Sequence, residues 1–187
     1  MRRTPEGTRR AAIVLAALAV VLSLSGCFAD EEPAPTTPPV PTATPVFATE
    51  EEALAAAEEA YANYLRVTDA IFADGGSNPE RLLDVATESQ FQRELVGYEE
   101  LASDHLHGVG SSRFDSSVLQ SFHSGDDSTA VIYTCLDISE TDIRNSKGES
   151  TVAPGRIERF TTEVSFDLDE RRLLVASDVP WTGESLC

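Results

Sequence analysis

The sequence predicts an α+β fold in which helices from the first half of the chain pack on one face of an antiparallel sheet built by the second half. Three observations lead there. From Leu54 to His105 the apolar side chains recur every three or four residues, the spacing of helices. From Phe114 to Ser177 the period falls to two, the spacing of strands. No second proline-rich break interrupts residues 47–187, so these 141 residues form one domain with one core.

The chain opens with an export signal. Arg2, Arg3, Arg9 and Arg10 form a basic region, and Ala11 to Leu24 is an uncharged apolar run of 14 residues. That length suits a signal-peptide core and falls short of the roughly 20 residues a membrane-spanning helix needs. Leu24-Ser25-Gly26-Cys27 follows. These four residues resemble the lipobox of bacterial lipoproteins, which implies cleavage after residue 26, a diacylglyceryl group on the Cys27 sulfur and acylation, for example by palmitate. Ordinary secretion with Cys27 unmodified, or an uncleaved anchor helix, stand as alternatives, and Thr8-Arg9-Arg10 also allows the twin-arginine route. Each of these places the globular part outside the cytoplasm. The lipoprotein reading puts it on the extracytoplasmic face of the cell membrane.

The formal net charge is −18, and removal of residues 1–26 leaves 10 basic against 31 acidic side chains, a net charge of −21. Such a surface repels phosphate backbones, so nucleic acid is not an expected partner. Residues 27–46 read as a tether: Pro33, Pro35, Pro38, Pro39, Pro41 and Pro45 alternate with Thr and Ala. Proline removes backbone donors and favours extended geometry, so this stretch holds a domain off the membrane at about 3.1 Å per residue and builds no core. Its threonines are candidate sugar acceptors.

Thr49-Glu50-Glu51-Glu52 is a capping-box pattern that starts the first helix, whose inward stripe is Leu54, Ala57, Tyr61, Leu65, Thr68 and Phe72. Gly75-Gly76 ends it. Asn78-Pro79 reads as an N-cap and N1 proline for a short second helix with Leu82, Leu83 and Val85. Ser89 with Gln92 suggests the cap of a third helix, with Phe91, Leu95, Tyr98, Ala102 and His105 along one face and its end near Gly108. A strand from Phe114 to Phe122 turns at Gly125-Asp126-Asp127. In the next, Ala130, Ile132, Thr134, Leu136 and Ile138 face one way and Val131, Tyr133 and Cys135 the other, so both faces are covered. Asn145 to Gly148 is a loop. Phe160, Thr162, Val164, Phe166 and Leu168 alternate with polar residues, and Asp169-Glu170-Arg171 turns the chain into a last strand, Leu173 to Ser177.

This order of a long amphipathic helix, two more helices and a curved antiparallel sheet, with the strand Tyr133-Thr134-Cys135-Leu136-Asp137 and the terminal segment Trp181 to Cys187, resembles the nuclear transport factor 2-like (SnoaL-like) cone fold. In its tethered, disulfide-closed form the chain is similar to small lipoproteins of high-GC Gram-positive bacteria. The resemblance spans residues 47–187 and implies a cone-like sheet with a pocket between helices and sheet. With Cys27 carrying lipid, Cys135 and Cys187 have a single intramolecular pairing, which ties the C-terminus to a strand. Closing a loop of about 50 residues contributes roughly 4 kcal/mol in the chain-entropy model. The alternative is a pair of free thiols.

Other candidates for chemistry compete with plainer roles. Asp104-His105-Leu106-His107 holds a His-x-His pair, a zinc pattern when other ligands join it. On a helix the two histidines diverge, and a helix C-terminus favours them for its dipole alone. His123 stands isolated beside a turn. Asp137, Glu140, Asp142 and Asn145 lack the spacing of an EF-hand and read as a solvated acidic loop. Arg156, Arg159, Arg171 and Arg172 could grip an anion, with salt bridging as the default. Tyr61, Tyr64, Asp69, Tyr98 and Tyr133 could line a cone pocket, or serve as core residues with wet hydroxyls. There is no nucleophile elbow, phosphate-binding glycine loop or zinc-spaced cysteine set.

The sequence therefore predicts no catalytic residue, no metal site and no cofactor. It points to a membrane-anchored, non-enzymatic binding or interaction module, meeting an envelope protein or a small-molecule ligand. The alternative is a small cone-pocket enzyme of isomerase, dehydratase or cyclase type. A buried carboxyl or histidine facing the cavity favours that alternative, whereas a cavity filled by Phe and Leu leaves only surface binding.

Overall fold

The computed structural model describes residues 47–123, 129–170 and 172–187. Helix α1 (Glu50–Ala73) is followed by a 3-10 helix (Pro79–Asp84) and helix α2 (Glu88–Ser103). Strands β1 (His107–Val109), β2 (Arg113–His123), β3 (Thr129–Asp137), β4 (Asp142–Arg144), β5 (Arg159–Asp169) and β6 (Arg172–Pro180) complete the domain. The fold is α+β, as the sequence predicts. The main sheet is antiparallel in the order β2-β3-β5-β6, and β1 and β4 form a separate two-stranded ribbon. Among the described residues, no helix is long and apolar enough to cross a membrane.

The cap of α1 forms where the sequence puts it. The Thr49 hydroxyl accepts from the Glu52 amide at 3.1 Å, and the Glu52 carboxylate accepts from the Ala48 amide at 2.8 Å. Gly76 ends the element with φ +78°, its N–H donating to the Ile71 carbonyl at 2.9 Å. A Cβ there would lie 2.1 Å from the Tyr98 carbonyl oxygen, so glycine is required for α2 to pass this close.

The later helices depart from expectation. The second is a 3-10 helix, and Asn78 sits in the left-handed region without a side-chain cap bond. Thr87, not Ser89, caps α2 by accepting from the Gln90 amide. The helix stops at Ser103 rather than near Gly108. His105 takes φ +57°, and residues 107–109 leave the helix to pair with β4, Gly108 opposite Ile143. The reason is tertiary: a Cβ on Gly108 would sit 2.7 Å from the Phe72 Cβ, so this glycine lets the chain cross α1 closely.

In the main sheet Ile132 lies between Leu119 and Val164, and Ala130 between Phe122 and Phe166. This face meets Ala57, Tyr61, Leu65 and Ile71 of α1 in one core that also holds Leu82, Tyr98 and Val175. The β5–β6 hairpin closes with Asp169 opposite Arg172, as predicted. The outer edge of β6 is not left open: the Thr87 amide donates to the Val175 carbonyl and the Val175 amide to the Val85 carbonyl, at 2.9 and 3.0 Å.

Candidate functional site

A cavity of about 280 Å³ lies between α1, α2 and the inner face of the sheet, at the end where the β1–β4 ribbon folds over it. Its apolar wall includes Leu65, Phe72, Leu136 and Ile143, and its polar wall includes Thr68, Asp69, Glu94, Asp142, Arg156 and Asp178. Two partly buried hydrogen-bonded groups supply the chemistry.

The first is built around Asp178. The Tyr61 hydroxyl donates to Oδ2 at 3.0 Å and the Thr162 hydroxyl to Oδ1 at 2.5 Å. Burial pushes the Asp178 carboxyl above its ordinary value, with both bonds pulling the other way. Tyr61 is fully buried, and its ionisation is pushed well up by burial and then by the charge of Asp178. The second group is built around Glu94. The Tyr64 hydroxyl donates to Oε1 at 3.2 Å and the Gln90 amide to the same oxygen at 2.9 Å. Gln90 also donates to the Tyr64 oxygen at 2.9 Å. Burial raises Glu94 too, opposed by the Tyr64 bond. The Tyr61 and Tyr64 rings stack with centroids 6.1 Å apart, joining the two groups along α1.

Asp178 reaches this position through a break in strand alternation. Leu173 and Val175 face the core, and strict alternation would turn Ser177 inward and Asp178 out. Between Phe166↔Val175 and Ser165↔Ser177 the register slips by one residue, so Asp178 pairs with the buried Val164 and faces in. The Arg93 guanidinium of α2 holds the slip by donating to the Ala176 carbonyl and, at 3.0 Å, to the Gln90 side-chain oxygen.

Of the residues predicted to line a cone pocket, Tyr64 and Asp69 do so, and Tyr61 and Tyr98 stand directly behind its wall. Asp69 accepts from the Ser112 amide and hydroxyl, both at 2.9 Å, which ties α1 to the start of β2. Tyr98 is 1 % exposed, and its hydroxyl lies near that of Thr68; among the described residues neither hydroxyl has another partner. Burial raises the Tyr98 ionisation, the charge of Glu94 adds to this, and the Thr68 hydroxyl lowers it. Tyr133 is a correction. It lies on the outer face of the sheet, its ring 4.6 Å from that of Trp181, and takes no part in the cavity. Glu94, Asp178, Gln90 and Thr162 match no functional motif in the sequence. The spacing Gln90, Glu94, Tyr98, Leu101 places Glu94 on the buried face of α2, a signal that was present.

Cys135 and Cys187 are joined, with sulfurs 2.03 Å and Cα atoms 5.4 Å apart. The bond lies on the outer face, where the Thr161 hydroxyl also accepts from the Leu186 amide at 2.8 Å. Leu24, Ser25, Gly26 and Cys27 lie outside the described residues, as do the Gly125-Asp126-Asp127 turn and Arg171. His105 and His107 fall on a turn and a strand, not on one helix. Among the described residues no group of three or more His, Cys, Asp or Glu side chains is placed to hold a metal.

The acidic stretch is ordered by local bonds. Asn145 accepts from the Lys147 and Glu149 amides, and Asp142 takes bonds from Arg144 at 2.9 Å and Ser150 at 2.6 Å. The arginines do not converge. Arg159 bridges Asp115 at 2.8 Å and Asp137 at 3.3 Å on the outer face, Arg172 pairs with Asp169, and among the described residues Arg156 is the arginine that reaches the cavity. The Arg156 guanidinium donates to the Ile138 carbonyl at 2.7 Å and to the Thr141 carbonyl.

No family model matches the chain, and no curated protein matches it. Among solved structures it is similar to the crystal structure of the intermembrane space region of chloroplast protein ARC6, at 13 % identity and a TM-score of 0.41, covering 68 % of this chain and 97 % of that one. No function is carried across from a likeness of this degree.

Proposed function

We propose that the chain is a lipid-anchored protein of the cell envelope, held on the extracytoplasmic face through Cys27. On this reading its domain is a nuclear transport factor 2-like cone that takes a small ligand into the helix–sheet cavity. The anchor rests on the basic region, the 14-residue apolar run and Leu24-Ser25-Gly26-Cys27. The binding role rests on one observation above the others: Glu94 and Asp178 face a cavity with apolar walls that Phe and Leu side chains do not fill. Convergent polar groups in a concave apolar site are the general form of a small-molecule pocket, and this one is at the small end of such sites.

Acid–base catalysis is the second reading, and the same carboxyls favour it, since buried carboxyls in clefts are where proton transfer is found. Against it, Asp178 has both oxygens held by Tyr61 and Thr162, and Glu94 is clamped by Tyr64 and Gln90. Such donors fix a carboxyl as a recognition group. Fragment binding followed by ligand-observed NMR separates cavity from surface. Fragments that bind the wild type should lose contact with Val109→Trp, which fills the cavity mouth. Unchanged binding to that variant removes the cavity as the site.

A further inference from the structure

We propose that the end of β6 is a pH-sensitive register switch: as the cavity carboxyls ionise, the bulge at Ala176 slips out and carries Asp178 from the inner to the outer face. The sequence of the strand favours the slipped register. Strict alternation from Leu173 points Val175, Ser177 and Val179 inward and Asp178 outward. Beyond Ala176 the structure does the reverse, turning a carboxyl inward beside Val164 while Val179 stays 43 % exposed. An apolar side chain left in water and a carboxyl taken out of it are both unfavourable, so specific bonds hold the bulge. These are the Tyr61 and Thr162 hydroxyls on Asp178 and the Arg93 guanidinium on the Ala176 carbonyl.

The second register is defined residue by residue. The observed pairs are Val164↔Asp178, Glu163↔Val179 and Thr162↔Pro180. With the extra residue gone, Val164 meets Ser177, Glu163 meets Asp178 and Thr162 meets Val179. Val179 then lies against the fully buried Thr162, and Ser177 brings a hydroxyl to the place that Asp178 leaves beside Tyr61. The slip costs the Trp181 amide its bond to the Thr161 carbonyl and is taken up by residues 182–187, all exposed. Charge decides between the two. The cavity beside Asp178 is lined from α1 by Tyr64 and Asp69, from α2 by Glu94, and from the far side by Asp142 and Arg156. Arg156 is turned to the Ile138 and Thr141 carbonyls. Burial raises Asp178, against Thr162 and Tyr61. Burial raises Glu94 too, and the Asp178 charge adds to this against Tyr64 and Arg93. The bulged register is therefore complete below the ordinary carboxyl values and is lost as pH rises through the raised ones. On the outer face Asp178 lies beside Glu163 in water, where salt screens the repulsion.

The register is read in the protein alone, so the test stands whether or not the cavity holds a ligand. Cross-strand nuclear Overhauser contacts from Val164, in the full-length chain in detergent, identify its partner at about pH 5 and at about pH 9. Val164 should contact Asp178 in acid and Ser177 in alkali. Asp178→Asn cannot ionise at this position and should keep residue 178 beside Val164 at both values. Val179→Asp is an exposed change in the bulged register and puts a carboxylate into the core in the slipped one, so it should also keep residue 178 there. Contact between Val164 and Asp178 that persists in the wild type at about pH 9 overturns the switch. A change of partner in Asp178→Asn, or one in Val179→Asp as full as in the wild type, overturns it as well. Loss of both contacts overturns it too, since the strand has then come apart instead of slipping.

Discussion

The Tyr61 hydroxyl donates to the Asp178 carboxylate at 3.0 Å, joining residues 117 positions apart in the chain. One is on the first helix and the other on the last strand, so the bond closes the domain across its core. It also fixes one wall of the cavity, because the second Asp178 oxygen is held by Thr162. Stability and site geometry therefore depend on the same carboxyl.

Removing the donor tests this directly. Tyr61→Phe keeps the ring and its contact with Phe114, whose centroid lies 5.0 Å away, but leaves Asp178 short of a partner. The expected cost is about 1–3 kcal/mol, read as a lower urea midpoint with an unchanged m-value. A neutral outcome would mean that water reaches Asp178 freely.

Glu94 supplies a pH dependence with a definite sign. Burial raises its folded-state value above the ordinary 4.5. The stability linked to this residue is therefore complete below the unfolded value and is lost as pH rises through the folded one. Glu94→Gln cannot ionise and keeps an acceptor for Tyr64 and Gln90. Its melting temperature should match the wild type near pH 4 and exceed it at pH 8. Asp115, Asp137 and Asp142, held low mainly by hydrogen bonds, are common to both proteins and cancel in the difference.

The Cys135–Cys187 bond spans 52 residues of sequence and holds the tail against β3 and β5. Cys187→Ser should cost roughly 2–4 kcal/mol in denaturant unfolding. Mass analysis without reductant should find the C-terminal peptide joined to the one that holds Cys135.

Gly110 has φ +87°, and a Cβ there would lie 1.9 Å from the Glu140 carbonyl oxygen. Gly110→Ala must displace backbone on the rim of the cavity, so a loss of about 3 kcal/mol or more is expected. Gly148→Ala serves as the comparison, since it also has positive φ but meets nothing within 4 Å. It should lose about 1 kcal/mol, the strain alone.

At the other end of the chain, Cys27→Ser should release the protein from the membrane fraction or leave its precursor uncleaved. Retention of a mature-sized product would remove the lipid anchor.

Local signals in this chain were legible where local physics decides them. Thr49 and Glu52 mark the start of α1 because capping is settled within four residues. The β5–β6 turn was readable for the same reason. The end of α2 was not, because Gly108 leaves the helix to pass Phe72, a contact with no trace in the neighbouring sequence. Asp178 was hidden by the register slip at Ala176, which reverses the alternation that reading a strand relies on. Glu94 was visible on the Gln90–Tyr98 stripe, but a charged residue on a helix is ordinarily taken as solvent-facing. Tyr133 was misplaced because both faces of β3 carry large side chains, and only tertiary packing tells the cavity face from the Trp181 face.

The central claim is that two carboxyls are held in a low-dielectric cavity between the helices and the sheet. Carboxyl-carbon NMR titration of Glu94 and Asp178 in the wild-type chain tests it most directly. Both should titrate above the ordinary carboxylate range, while exposed Asp115 titrates below it. Ordinary or depressed values for Glu94 and Asp178 would contradict the account, because burial would then not outweigh the hydrogen bonds that favour the ionised forms.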